Sequence, residues 1–132
     1  MKLGRAFLRG LLHAIVALVA AMLVWAMLIG WGIFVSESYN PKFGGPWGDF
    51  RFAMMIALFF ASVSSGVLLV ASIVAHYVRG RIPVSRLVGS SLTFALTSPL
   101  VEYGIGCNSV LTLLLIGLPL LSAAWMIEPR QK

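Results

Sequence analysis

The stretch FAMMIALFFASVSSGVLLVASIVAHYV, Phe52 to Val78, runs for 27 residues without an acid, a lysine or an arginine. A helix rising about 1.5 Å per residue needs roughly 20 mostly apolar residues to cross a hydrocarbon core about 30 Å thick. The run is long enough to do so. Backbone N–H and C=O groups in lipid must be satisfied within their own segment, so the run reads as a helix and not as an open strand.

Three further runs flank it. Leu11 to Val35 carries no charged residue over 25 positions, Leu87 to about Ile105 carries one acid, Glu102, and Val110 to Ile127 carries none. Composition agrees: 60% of the 132 residues are hydrophobic and 11% are charged, where soluble domains carry about 25% charged residues. Mean hydropathy is +0.97. The expected fold class is an all-α membrane protein, with four transmembrane helices in a compact bundle and residues 1–132 as a single integral domain. The spans are placed at about 11–35, 52–78, 87–105 and 110–127. An outer loop is expected at 36–51 and a cytoplasmic loop at 79–86.

The charges set the orientation. Lys2, Arg5 and Arg9 precede the first run, Arg79, Arg81 and Arg86 lie between the second and third, and Arg130 and Lys132 follow the fourth. Lys42 and Arg51 alone fall on the other side. Eight of ten basic residues therefore share one side, which the positive-inside rule assigns to the cytoplasm. Both termini are expected inside (N-in/C-in), in a bacterial inner membrane. The pI of about 10.3 does not point to nucleic acid, because the basic residues form three short membrane-flanking clusters. Anionic lipid headgroups are the expected partner, at about 1 kcal/mol per basic residue. The N-terminus MKLGRAFLRG resembles the basic start of a signal peptide, but its apolar run continues to Val35, well beyond a typical h-region. It reads as an uncleaved first span.

The outer segment SESYNPKFGGPWGDFR, Ser36 to Arg51, is dense in proline and glycine, which forbids a continuous helix there. Tyr39, Phe43, Trp47 and Phe50 are spaced through it. They suit an aromatic belt at the membrane interface or a partner-contact surface. Within the second run Ala53, Ala57, Ala61 and Ser65 recur every fourth residue, with Ser62 and Gly66 beside them. A ridge of small side chains lets another helix approach closely, which is how helices associate in lipid.

Four groups are candidates for chemistry. Glu102 lies fifteen residues past Leu87, about 22 Å by helical rise, which places it near the outer boundary. There it is the wet end of a tight hairpin, or an ion or proton site at the mouth of a transporter. Pro99 removes the hydrogen bond to the Ala95 carbonyl, so a kink there would turn Glu102 toward the bundle. His13 and His76 come to similar depth in an antiparallel hairpin, near Ser90, Ser91 and Glu128. A Ser–His–Glu intramembrane hydrolase is geometrically conceivable, but the spacing lacks a nucleophile elbow, and the expectation is a protein that is not an enzyme. Cys107 is the single cysteine and lies on the side opposite both histidines, so neither an internal disulfide nor a metal site is expected. No cofactor is expected.

Small-residue faces, an aromatic outer loop and no charge deep in the spans point to function by protein–protein binding. The expectation is an accessory or assembly subunit of a larger membrane complex, with other membrane subunits or a second copy as partner. The alternatives are a small dimeric transporter or channel using Glu102, and an immunity or exclusion protein against a pore-forming toxin or phage.

Overall fold

The computed structural model describes residues 2–35, 45–80, 82–104 and 106–127, without the side chains of residues 103 and 127. It is all-helical: α1 spans Lys2–Gly30, α2 Pro46–Arg79, α3 Val84–Thr97 and α4 Asn108–Ile127. A wider π-type turn, Trp31–Val35, extends α1, and a 3-10 turn, Ser98–Gly104, follows α3. Three helices are long and apolar enough to cross a membrane: α1 with its π turn, α2 and α4.

The helices extend past the expected spans, α1 beginning at Lys2 and not at Leu11 and α3 at Val84 and not at Leu87, and two further differences change the reading. First, α2 begins at Pro46 and not at Phe52, so Trp47, Asp49, Phe50 and Arg51 are helical. Proline is tolerated in the first helical turn, where its missing N–H would have had no partner. Gly45 supplies the positive φ of 109° that turns the chain into it. Residues 46–51 of the expected 36–51 loop therefore belong to α2. Second, the third run is not one helix over 87–105. Its α-helical part is 14 residues, about 21 Å long, and the 3-10 turn adds about 14 Å at about 2 Å per residue.

Helix α1 packs against α2 and α3, and α4 packs against the same two; no α1–α4 or α2–α3 approach occurs among the described residues. The helices thus stand at the corners of a square in the order α1, α2, α4, α3. Lys2 meets Tyr77, Ala14 meets Ser65 and Gly30 meets Phe50, so α1 and α2 are antiparallel. Arg86 Nη1 donates to the Trp125 carbonyl (3.1 Å) while Gly104 abuts Leu111, so α3 and α4 are antiparallel too. The described basic residues Lys2, Arg5, Arg9, Arg79 and Arg86 therefore gather at one end of the bundle, with Arg51 at the other.

Small residues make the close contacts. On α1 the buried positions are Ala6, Gly10, His13, Ala14, Ala17, Ala21 and Trp25, a stripe at three- and four-residue spacing. On α2 Ala57, Ala61 and Ser65 are buried and Ala53 is half-buried, and the stripe continues through Leu68, Ser72 and Ala75. Between these faces Ala17, Ala21, Leu68, Ala75, Ile82, Phe94, Ala123 and Met126 form the core.

Each in-run proline has a serine beside the carbonyl it frees. Pro99 has no N–H for the Ala95 carbonyl, and Ser98 Oγ donates to that oxygen at 3.3 Å. Pro119 sits buried inside α4 and leaves the Leu115 carbonyl without its partner; Ser64 Oγ donates to it from α2, also at 3.3 Å. In lipid such a freed carbonyl finds no water, so the α2 hydroxyl both satisfies it and ties α4 to α2. Ser64→Ala is expected to destabilise the bundle by about 1 kcal/mol. In a Pro119→Ala background, where the new backbone N–H can itself donate to the Leu115 carbonyl, the same change should cost much less. A double-mutant cycle of unfolding in detergent measures the coupling, and equal costs in both backgrounds would refute the assignment.

Candidate functional site

Glu102 is exposed. In a 3-10 turn, residues three apart share a face, and the face turned into the bundle is Ser98, Val101 and Gly104. Glu102 falls beside that face. The Pro99 break is present, but it does not carry the carboxylate inward. Cys107 is an exposed free thiol at the start of α4, where its carbonyl accepts from Leu111 N–H at 2.9 Å.

The aromatic candidates divide. Tyr39 and Phe43 lie outside the described residues. Trp47 and Phe50 join Phe34 of the π turn in a cluster with ring centroids 4.9 to 6.2 Å apart. Phe50 is half-buried and faces Gly30, whereas Trp47 is 68% exposed. Such tilted and edge-on pairs contribute about 0.5–1.5 kcal/mol beyond the area they bury. The cluster fastens the end of α1 to the start of α2 and leaves Trp47 on the surface.

The buried polar centre lies at the other end, around the two histidines. His13 of α1 and His76 of α2 are both buried, at 5% and 3% exposure, and Ser72 stands fully buried between them. His13 Nδ1 is 3.0 Å from Ser72 Oγ, and His76 Nδ1 is 2.8 Å from the Ser72 carbonyl and 3.4 Å from Ser72 Oγ. Met126 Sδ of α4 lies 3.8 Å from the same hydroxyl. One serine therefore links three helices.

Donor roles follow from chemistry. A carbonyl can only accept, so His76 carries its proton on Nδ1 and donates it to the Ser72 carbonyl. The Ser72 O–H is left to choose between an imidazole lone pair and a thioether, and the imidazole nitrogen at the shorter distance is the better acceptor. His13 thus accepts at Nδ1 and carries its proton on Nε2. That Nε2 is buried without a hydrogen-bond partner, as are Ser90 Oγ and Trp25 Nε1.

The expected convergence of His13 and His76 is present, but the serine joined to them is Ser72 and not Ser90. Glu128 lies outside the described residues. Ser72 stands seven residues after Ser65 and four before His76, a spacing that already marks one helix face in the sequence. Among the described residues no three of His, Cys, Asp and Glu gather to hold a metal ion.

Beside the histidines is a groove of about 550 Å³. Arg9, His13, Val16 and Ala20 of α1 form one wall, and Leu87, Val88, Ser91 and Leu92 of α3 form the other, with His76 and Ile82 also lining it. Its size falls within the roughly 300–1,000 Å³ of small-ligand sites. The walls are apolar except for Arg9, the histidines and Ser91. Comparison with known protein families, with curated proteins and with solved structures finds no match to this chain.

Proposed function

We propose that this chain is a multi-pass subunit of a bacterial cytoplasmic membrane, inserted with its basic end inside, and that it acts by binding other membrane subunits. In this reading it is an accessory or assembly component of a larger complex and not an enzyme. The observation that carries it is on the outward side of α2. There Met55, Phe59, Val63, Val70 and Val74 are exposed at four- and seven-residue spacing, as a lipid-facing stripe requires. Ser62 and Gly66 interrupt that surface, both exposed and one turn apart, and nothing lies within 4 Å of where a Gly66 side chain would start. Two small residues one turn apart on an outward face form a notch into which a second helix packs closely. The inward ridge of Ala57, Ala61 and Ser65 is already filled by this chain's own helices, so the notch is free for a partner. The basic end sits against anionic headgroups of the inner leaflet.

The test is native mass spectrometry of the protein extracted gently from its own membranes, beside a Gly66→Leu variant. Larger subunits should accompany the native chain and be lost from the variant, whose own unfolding in detergent should be unchanged. A lone monomer would overturn the proposal. A homodimer broken by Gly66→Leu would identify the partner as a second copy and overturn the accessory role.

A further inference from the structure

We infer that the groove between α1 and α3 is a binding site for one anionic phospholipid of the inner leaflet. The argument begins with the direction of the groove. Arg9, His13, Val16 and Ala20 succeed one another along one face of α1, each about one turn, or roughly 4.5–6 Å, deeper than the last. Val84, Val88 and Leu92 repeat the same order on α3. The groove is thus graded: a guanidinium at the basic end, an imidazole one turn further in, and beyond them walls that are apolar but for Ser91.

That order is the order of groups in a phospholipid. Phosphate oxygens are acceptors that match the Arg9 guanidinium, which offers only donors. One turn deeper, the occupant meets His13. Its Nδ1 is engaged by Ser72, and its Nε2–H is buried beside the groove without an acceptor. A buried N–H without an acceptor is costly, so a small rotation of the ring toward the groove, meeting a lipid ester carbonyl, is favoured when the lipid is bound. Further in, Val16, Ala20, Val88 and Leu92 offer the apolar walls that an acyl chain needs.

Charge complementarity selects an anionic lipid over a zwitterionic one. Lys2, Arg5 and Arg79 share the end of the bundle where Arg9 stands, so the headgroup meets a positive field, and a choline beside the phosphate would be repelled by it. The inference rests on the membrane insertion proposed above but not on the partner notch of α2.

The experiment strips the full-length protein of lipid in detergent and titrates it, by native mass spectrometry, with phosphatidylglycerol, with phosphatidylcholine of the same chains, and with oleate. One phosphatidylglycerol per chain should be retained, and Arg9→Gln should weaken it about tenfold, the loss expected from one charge-assisted hydrogen bond. Val88 is half-exposed on the groove wall, so Val88→Trp should fill the groove and abolish retention while thermal unfolding stays native-like. Equal retention of the two phospholipids, or native-like binding by Val88→Trp, would overturn the site. Preference for oleate would overturn the phospholipid and make the occupant a free fatty acid. None of these results depends on Gly66, which faces away from the groove.

Discussion

Gly10→Val is expected to separate α1 from α2. A Cβ at position 10 would lie 2.7 Å from Ile73 Cγ1, 2.9 Å from the Ile73 backbone nitrogen and 3.1 Å from its Cα. A side-chain tip can rotate away, but two of these atoms are backbone and move only if the helix moves. Adding carbon atoms to a packed interface typically costs about 1–3 kcal/mol, and valine, with three added carbons, stands at or above the upper end. The damage extends along the interface. Displacing α1 at Gly10 also lengthens the His13–Ser72 bond one turn away and the bond from Ser65 Oγ to the Ala14 carbonyl, now 3.3 Å. The control is Gly4→Val on the same helix, where nothing lies within 4 Å; it should stay within about 0.5 kcal/mol of the native chain. Unfolding in detergent micelles, followed by circular dichroism, compares the two. Equal stabilities would show that α1 and α2 do not meet at Gly10.

The contrast between these glycines shows how far the sequence is legible. Run lengths identify four helical segments because an apolar stretch of twenty residues has few other solutions. The row Ala53, Ala57, Ala61 and Ser65 lies inward. Ser62 and Gly66, also small and four apart, face outward, so the spacing of small residues alone does not choose the inward face of α2. What the run lengths miss is the reading of proline. Pro46 looks like a breaker among Gly44, Gly45 and Gly48, yet it opens α2, because a helix start is where a missing N–H does no harm. Pro99 does break its run. Pro119, in an equally apolar setting, does not, because Ser64 arrives from another helix to meet the carbonyl it frees. That compensation is tertiary, so no local pattern announces it.

The site is legible in a similar, partial way. Antiparallel spans bring His13 and His76 to one depth, since one lies near the start of its run and the other near the end of the next. Ser90 and Ser91 draw notice as a pair, but neighbouring residues on a helix point about 100° apart, and pairing in sequence says little about a partner. The informative signal is the lone serine, Ser72, one turn before His76 on its own helix. Glu102, the one acid in an apolar run, is conspicuous by charge, whereas its exposure follows from the three-residue period of the 3-10 turn.

Ser72→Ala is therefore the substitution expected to act most specifically. It removes only an oxygen, so packing barely changes, but it takes the donor from His13 Nδ1 inside a fully buried site. An unsatisfied buried acceptor costs about 1–3 kcal/mol. His76 should be spared, because its Nδ1–H is donated to the backbone carbonyl of residue 72, which alanine retains. The two histidines are thus predicted to respond differently to one change. Imidazole nitrogen NMR should show His76 fixed with its proton on Nδ1 in both proteins, and His13 fixed on Nε2 only when Ser72 is present. Adding His13→Leu to Ser72→Ala removes the stranded acceptor and should recover much of the lost stability, since deleting both partners of a buried hydrogen bond is far cheaper than deleting one. If Ser72→Ala shifted both imidazoles alike, the hydroxyl at 3.4 Å from His76 would be its true partner. The assignment of the His13 proton to Nε2 would then be reversed.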